Sequence, residues 1–403
     1  MCSLDHPCGR HGRTVIAGAD QEQALEPITD TRADAEVDQA QPGVALCLSG
    51  GGYRAMLFHL GALWRLNELG YLARLDRVTS VSGGSITAGV LAQNWTQLNF
   101  DGARVAQEFE EGLVAPIRRM AGQTIDLWAI LLGILLPGSI ADRCVGAYRR
   151  HLFDSTTLQD LPDTPRFVFN ATNLQSAVLW RFSKPYMRDY RVGEIVSPQV
   201  ELARAVAASA AFPPFLSPVV LKLDDRSFTP ASGDDLQRPP FTTRVILADG
   251  GVYDNLGLET AWKRYRTILI SDGGGHIAAK AKPPRDWLRQ SGRVLNVIDS
   301  QVRALRKRQA IESFKLGRRE GTYWGIRTDI ADYGLADALP CPHARTLALA
   351  SLPTRLKKTD AVVQERLINW GYAVCDAAMR RHVEPTLSPP SGFPYPPAGV
   401  GSQ

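Results

Sequence analysis

The chain of 403 residues lacks the cysteine pairs, the apolar leader and the strong net charge that would each indicate a particular class of protein. Its six cysteines contain no CxxC pair, so we expect reduced thiols rather than a disulfide framework. No apolar segment follows the first residues, which predicts a cytoplasmic protein without a secretory signal. The net charge of +5 is mild for a dedicated nucleic-acid binder, and no nucleic acid is expected as a partner.

Ligands for a metal ion are equally sparse. Cysteine and histidine lie close together only near the start of the chain, at Cys2, His6, Cys8 and His11. Because their spacing matches no standard zinc finger, the sequence predicts no metal site and no other cofactor.

Long hydrophobic runs are missing as well. The most apolar stretch, residues 125–136, falls short of the roughly 20 residues needed to span a bilayer. It fits a core helix, a lid, or a helix lying in a membrane interface, and the sequence leaves these open. The basic side chains over residues 303–308 either contact anionic headgroups or form a solvated helix face.

Alternating strand and helix signals fill residues 43–382, which are predicted to form one domain. Residues 1–42 are polar and read as a poorly ordered extension, whereas residues 383–403 are rich in proline and glycine and are expected to be disordered. Strands are predicted at residues 44–48, 77–81, 166–171, 177–182, 244–248 and 267–270, and helices at 53–69, 295–316 and 361–381. This order favours a three-layer α/β/α fold with a mainly parallel central sheet.

The first chemical signal is a glycine triplet, Gly50, Gly51 and Gly52, between a predicted strand and a predicted helix. Three glycines let the backbone turn sharply and let a ligand approach the N–H groups at the positive end of the helix. Such a loop holds a nucleotide phosphate or an oxyanion, or is simply a tight turn.

The second signal is Ser82 within residues 80–84 (SVSGG), again between a strand and a helix. The pattern is that of a nucleophile elbow, G-x-S-x-G, with Ser80 in place of the first glycine. A serine that merely caps a helix is the plain alternative. Consecutive parallel strands place their carboxyl ends side by side, so the glycine amides and the Ser82 hydroxyl are expected to face each other. That arrangement suits a tetrahedral intermediate.

A serine nucleophile needs a base, and the residues offer several. Asp249 and Asp272 each end a predicted strand and precede glycines, so spacing alone does not choose between them. His59 and His276 are candidates for a Ser-His-Asp triad, although neither lies in a context that demands catalysis.

Taken together and in this order, the three patterns make the chain similar to the patatin-like phospholipase family. Residues 49–54 (SGGGYR) match its glycine-rich loop, residues 80–84 its serine turn, and Asp249 with its two glycines the family's Asp-Gly-Gly motif. The likeness extends through residues 169–174 (FNATNL), 207–214 and 249–258 (DGGVYDNLGL), and covers roughly residues 43–381.

The resemblance implies a patatin-like catalytic domain that hydrolyses lipid acyl esters, as a phospholipase A or esterase, with a Ser–Asp dyad and no histidine. On that basis Ser82 attacks the ester carbonyl and Asp249 accepts its proton, while the amides of Gly50, Gly51 and Gly52 hold the oxyanion. A lipid substrate and peripheral membrane contact are the expected partners, and the oligomeric state is not indicated.

Two positions depart from the family pattern. Ser49 stands where many members carry aspartate, and Ser80 replaces the usual glycine. Neither change removes a reacting group, so we expect activity to survive both. Arg54, which follows the glycine loop, is expected to support that loop or to attract a lipid phosphate.

Three alternative functions stay open. The same dyad also suits an acyltransferase or a thioesterase. A nucleotide-binding role for the glycine loop is opposed by the missing Lys-Ser/Thr of a P-loop and the missing G-x-G-x-x-G pattern. A catalytically silent membrane-binding module is favoured if Ser82 is unreactive and buried.

Overall fold

The computed structural model describes residues 40–125, 140–213, 216–275, 277 and 279–401. Several expectations fall elsewhere: the extension up to residue 39 with its cysteines and histidines, His276, and nearly all of the apolar run 125–136. Of that run, Ile125 is described and is buried. None of the helices formed by the described residues is long and apolar enough to cross a membrane.

Ten strands of the described chain form one sheet. They are β1 (Gln41–Leu48), β2 (Leu75–Ser80), β3 (Arg166–Asn173), β4 (Val178–Phe182), β5 (Tyr186–Asp189), β6 (Gly193–Val196), β7 (Val219–Lys222), β8 (Arg244–Asp249), β9 (Tyr265–Asp272) and β10 (Glu320–Gly325). The helices are α1 (Gly52–Glu68), α2 (Gly83–Asn94), α3 (Ala115–Ala121), α4 (Ile140–Tyr148), α5 (Leu202–Ser209), α6 (Gly251–Asp254), α7 (Glu259–Trp262), α8 (Trp287–Lys315), α9 (His343–Ala350) and α10 (Ala361–His382).

The predicted α/β class is confirmed, and the sheet is mixed. Its strand order is β10-β9-β1-β2-β3-β4-β5-β6, and the strands from β10 to β3 are parallel. From β3 to β6 the pairs are antiparallel, as are β3 with β8 and β8 with β7. The expectation of parallel strands therefore holds for the half that carries the glycine loop and the serine turn. The short connections between β3, β4, β5 and β6 permit only antiparallel neighbours.

Helices α1 and α10 pack against each other at unusually close range. A Cβ atom at Gly61 would lie 1.9 Å from the carbonyl oxygen of Ile368, and one at Gly371 would lie 1.9 Å from that of Phe58. Each glycine therefore admits the backbone of the other helix. Nearly all of α1, the helix that begins inside the glycine loop, is buried.

The segment after α10 is folded onto that helix, unlike the disordered tail that its composition predicts. The side-chain amide of Asn369 donates to the carbonyl oxygens of Tyr395 and Gly399, both at 2.8 Å, and accepts from the Tyr395 N–H at 3.0 Å. Val400 is buried in the core. A few anchoring side chains hold this segment, and average composition carries no signal for them. The wider division of the chain into domains stays a prediction.

Candidate active site

Ser82 lies in the sharp turn between β2 and α2, in a backbone conformation that serine rarely adopts. Its φ of 51° and ψ of −118° fall outside the regions that L-residues favour, so the fold around it must hold the turn in place. A Cβ atom at Gly83 would lie 2.2 Å from the Gly52 carbonyl oxygen, and one at Gly84 would lie 2.4 Å from that of Leu48. Both glycines are therefore required by the close approach of the neighbouring loop.

Two backbone N–H groups of the glycine loop donate no hydrogen bond to the described residues. Gly50 donates to the Asn255 carbonyl oxygen at 3.0 Å, whereas the Gly51 and Gly52 N–H groups have no acceptor among the described residues. The loop also passes close to the serine, since a Cβ atom at Gly50 would lie 3.2 Å from that of Ser82. The free donors at the start of α1 suit developing negative charge.

Asp249 reaches the same place from the opposite direction. Strand β2 runs parallel to β3 and ends beside its first half, while β8 runs antiparallel to β3 and ends beside its second half. Both strands lie on the side of β3 away from β4, so their carboxyl ends approach head-on. Ser82 and Asp249 thus converge at the point where the ends of the two strands meet beside β3.

Two side chains of β3 hold the ends of the converging strands. Asn170 Nδ2 donates to the Ser80 carbonyl oxygen at 3.0 Å. Thr172 Oγ1 donates to the Asp249 carbonyl oxygen at 2.8 Å. A single strand therefore fixes the position of both candidate catalytic residues.

The Asp249 carboxyl group is almost fully buried, and only one of its two oxygens accepts a hydrogen bond within the described part of the chain. Its Oδ1 accepts the Gly251 N–H at 2.7 Å, and its Oδ2 is buried without a hydrogen-bond partner among the described residues. Burial raises the pKa of Asp249 to about 7, against the lowering effects of the Gly251 N–H and of the nearby Ser82 side chain. A carboxylate with one open oxygen and a pKa near neutrality can accept and return a proton at physiological pH.

Ser209, at the end of α5, links the two halves of the site. Its hydroxyl accepts the Ser82 N–H at 3.1 Å, and its carbonyl oxygen accepts the Gly250 N–H at 3.2 Å. Sequence reasoning missed it, because a contact so distant along the chain leaves no spacing signal. The run of small residues over 207–211 (AASAA) was the available hint.

The departure at Ser80 from the family pattern has a local explanation. The Ser80 hydroxyl accepts a hydrogen bond from Ser85 Oγ at 2.9 Å and donates to the Val168 carbonyl oxygen at 3.3 Å. Ser85 Oγ is in turn 2.8 Å from Ser209 Oγ. The extra hydroxyl is thus part of a buried chain of serines beneath the turn.

Arg54 is buried, and each of its three side-chain nitrogens donates a hydrogen bond. Its Nε donates to the Gly273 carbonyl oxygen at 3.2 Å, its Nη2 to Thr354 Oγ1 at 3.0 Å, and its Nη1 to the Leu352 carbonyl oxygen. Burial lowers the pKa of Arg54 to about 10, so the side chain stays charged at neutral pH. These contacts favour loop support over attraction of a lipid phosphate.

The alternative bases have other partners. His59 is fully buried, with Nδ1 2.8 Å from Ser271 Oγ and Nε2 2.9 Å from the Ser49 carbonyl oxygen. Burial lowers the pKa of His59 to about 4, so it is neutral and ties β1 to β9. Asp272 accepts the Gly274 N–H at 2.9 Å and the Tyr323 hydroxyl at 2.8 Å, and its strand lies on the far side of β1 from β2.

Within the described ranges, no group of three or more histidine, cysteine, aspartate or glutamate side chains is arranged to hold a metal ion. The four cysteines in this part of the chain are buried thiols, none of them in a disulfide: Cys47, Cys144, Cys341 and Cys375.

The fold and the site define an α/β protein with a serine on a strained strand-to-helix turn, beside a glycine loop and a buried carboxyl group. A sequence model of the patatin-like phospholipase family matches residues 46–262, which is more than half of the chain. The chain belongs to this family, as its motifs predict.

Individual relatives are distant. The chain is 25% identical over 278 residues to a patatin-like phospholipase domain-containing protein of Candida albicans, and the match covers 68% of this chain and 29% of that protein. The chain thus spans less than a third of the length of that relative.

Two solved structures are similar to most of the chain. Human GIVD cytosolic phospholipase A2 is 15% identical, with 88% of this chain and 60% of that chain covered at a TM-score of 0.45. VipD from Legionella pneumophila is 16% identical, with 84% and 66% covered at a TM-score of 0.32.

Proposed function

We propose that this protein is a lipid acyl hydrolase in which Ser82 is the nucleophile and Asp249 is its base. The observation that carries the proposal is the buried, unpartnered Oδ2 of Asp249 at the point where the Ser82 turn meets β8. Leaving a buried carboxylate oxygen unpaired destabilises the fold, so such a group is expected where chemistry requires it.

The proposed reaction uses groups already described. As Ser82 Oγ attacks the ester carbonyl carbon, its proton passes to Asp249 Oδ2, and the Gly51 and Gly52 N–H groups stabilise the oxyanion. Asp249 then returns the proton to the departing alcohol, which leaves an acyl-serine. A water molecule gives its proton to Asp249, attacks the acyl carbonyl and releases the fatty acid, and the proton returns to Ser82.

The proposed substrates are phospholipids or other lipid acyl esters, met at a membrane surface. Support comes from family membership and from exposed apolar side chains beside the site. Phe212 follows Ala211, whose carbonyl oxygen accepts the Asp249 N–H. Val252 follows Gly251, whose N–H donates to Asp249 Oδ1. Both are about half exposed, as acyl-chain contacts near a lipase site would be.

The test is fatty acid release from vesicles that contain phospholipid and neutral lipid. We expect release by the wild type and none by Ser82→Ala or Asp249→Asn, with Asp272→Asn as the matched control that keeps activity if it folds. Release that persists in Asp249→Asn, but not in Asp272→Asn, would move the base to Asp272.

Labelling with a fluorophosphonate separates the remaining outcomes. Because Ser82 is only 8% exposed, labelling tests directly whether its hydroxyl can be reached by a reagent. A labelled Ser82 without lipid hydrolysis would refute the lipid substrate but keep the serine enzyme. An unlabelled Ser82 without hydrolysis of any ester would favour the silent binding module. Acyl transfer to an added alcohol in preference to water would favour the acyltransferase.

A further inference from the structure

Helix α8 carries a stripe of large apolar side chains on its solvent side. Trp287, Val294, Ile298 and Leu305 follow one another at intervals of seven, four and seven residues, which places them on one side of a helix. They are 77%, 50%, 53% and 55% exposed, in the order given. A contiguous exposed apolar surface of this kind marks an interaction site.

The opposite side of α8 is fixed to the protein over the second half of the helix. Arg306 pairs with Glu259 at 2.9 Å and lies 3.8 Å from Asp254. Arg303 donates to the Gly275 carbonyl oxygen, and Ala310 is fully buried. The second half of the helix is therefore anchored along one face, and the apolar stripe lies on the other.

The segment that leads into the helix is strongly basic. Lys280, Lys282, Arg285 and Arg289 are all exposed, and the nearest acidic residue is Asp286, which pairs with Arg289 at 2.9 Å. Trp287 lies within this basic segment. Tryptophan beside lysine and arginine is typical of segments that sit at the boundary between lipid headgroups and acyl chains.

Helix α8 also lies close to the candidate active site. Asp299, on its inner half, is near enough to act electrostatically on Asp249. Arg306 contacts Asp254, which ends the short helix α6 that begins at Gly251, the donor to Asp249. The candidate site and the stripe therefore lie on the two sides of the same helix, the site on its protein side and the stripe on its solvent side.

We propose that the solvent side of α8, together with the basic segment of residues 280–289, docks this protein on an anionic lipid surface. The inference rests on the proposed function, because it names the surface on which the site would meet its substrate. Anionic lipid complements both features, since acyl chains accept the stripe and headgroups pair with the basic residues. A second copy of the chain would cover the stripe and leave the basic residues without partners.

The test is cosedimentation of the full chain with vesicles of phosphatidylcholine alone and of phosphatidylcholine mixed equally with phosphatidylglycerol. We expect the wild type to prefer the anionic vesicles and to lose that preference as salt is raised. Val294→Asp combined with Ile298→Asp should lower the partition coefficient by about tenfold or more, because two apolar side chains no longer enter the interface. Lys280→Gln with Lys282→Gln should lower it about tenfold for anionic vesicles only.

Matched controls lie on other parts of the surface. Val196→Asp changes an exposed valine, 58% exposed, on β6, whereas α8 packs against β10 at the opposite edge through Lys307 over the Tyr323 ring. Lys222→Gln with Arg226→Gln removes two exposed positive charges elsewhere. Neither control should alter vesicle binding.

The outcomes separate docking from catalysis. Unchanged vesicle binding by the α8 variants would overturn the docking proposal. So would a wild-type dimer that Val294→Asp with Ile298→Asp converts to a monomer, because a second copy of the chain would then cover the stripe. Ser82→Ala should bind vesicles like the wild type. Hydrolysis of a soluble ester without any vesicle binding would refute docking and leave the enzyme, whereas stripe-dependent binding without hydrolysis of any ester would refute the enzyme and leave docking.

Discussion

Replacing Asp249 by asparagine should make the protein more stable, provided that the pH is high enough. Burial raises the pKa of Asp249 from 3.8 to about 7. Because a difference of one in pKa corresponds to about 1.4 kcal/mol, ionising this carboxyl group costs the folded state on the order of 4 kcal/mol. Asparagine keeps an oxygen to accept the Gly251 N–H and carries no charge. Its Nδ2 takes the position that has no partner, which costs about 1–3 kcal/mol. The expected net gain at pH 8 is therefore about 1–3 kcal/mol.

The sign of the pH dependence follows from the raised pKa. Below about pH 4 the carboxyl group is protonated in both states and destabilises neither. As the pH rises from about 4 to about 7 the unfolded chain ionises first, so the free energy of unfolding of the wild type falls, and above about 7 the loss is complete. The advantage of the variant should therefore be near zero at pH 5 and largest at pH 8.

Urea unfolding of both proteins at pH 5 and pH 8, followed by tryptophan fluorescence, measures this difference. Asp272→Asn is the matched control, because both oxygens of Asp272 already accept hydrogen bonds and the amide would lose one of them. We expect that control to lose about 1–3 kcal/mol. An Asp249→Asn protein whose advantage over the wild type is the same at pH 5 and pH 8 would refute the reasoning.

Four further outcomes follow from the site. On a soluble ester, kcat/KM should fall about tenfold for each pH unit below about 7, because only ionised Asp249 accepts a proton, and a flat profile between pH 5 and 8 would contradict this. Gly51→Ala should lower kcat at least about a hundredfold with unchanged circular dichroism, because the new side chain would displace the glycine loop from its position beside Ser82. Its Cβ atom would lie 2.8 Å from the Gly273 carbonyl oxygen, and the φ of Gly51 is 149°. Ser209→Ala should lower kcat with little change in KM, since the Ser82 N–H loses its acceptor and the turn loosens. Arg54→Lys should lower the melting temperature and reduce hydrolysis of phospholipid and neutral ester alike, whereas a phosphate-binding role predicts a loss confined to phospholipid.

Continuous apolar runs and glycine positions were enough to predict β1, α1, β2 and β9, whereas β10, the edge strand of the parallel half, was not predicted. Strands were predicted at the positions of β3, β4 and β8, but their antiparallel pairing was not, although the connection of four residues between β3 and β4 is too short for a parallel crossover. Helix α8 begins at Trp287, earlier than the predicted start at residue 295. Most of the described side chains in its first two turns are exposed, so the sequence there has no inward apolar stripe. The available signal was Asp286, whose side chain accepts the Arg289 N–H at 2.9 Å.

The motifs predicted the candidate catalytic residues but not the side chains that hold them in place. Ser82 and Asp249 follow from local patterns, because a strained turn and a strand end each demand particular small neighbours. The groups that hold them in place, Asn170, Thr172 and Ser209, act across the fold through single hydrogen bonds. Contacts of that kind leave no periodicity in a sequence, so only the structure reveals them.

The close packing of α1 against α10 bears on how the protein is made. Helix α1 begins in the glycine loop, and the helix that covers it is encoded near the other end of the described chain. A growing chain would hold the candidate nucleophile and its base long before it holds the helix that packs against α1. A site assembled in that order would gain its full activity only after α10 has been made and has packed against α1.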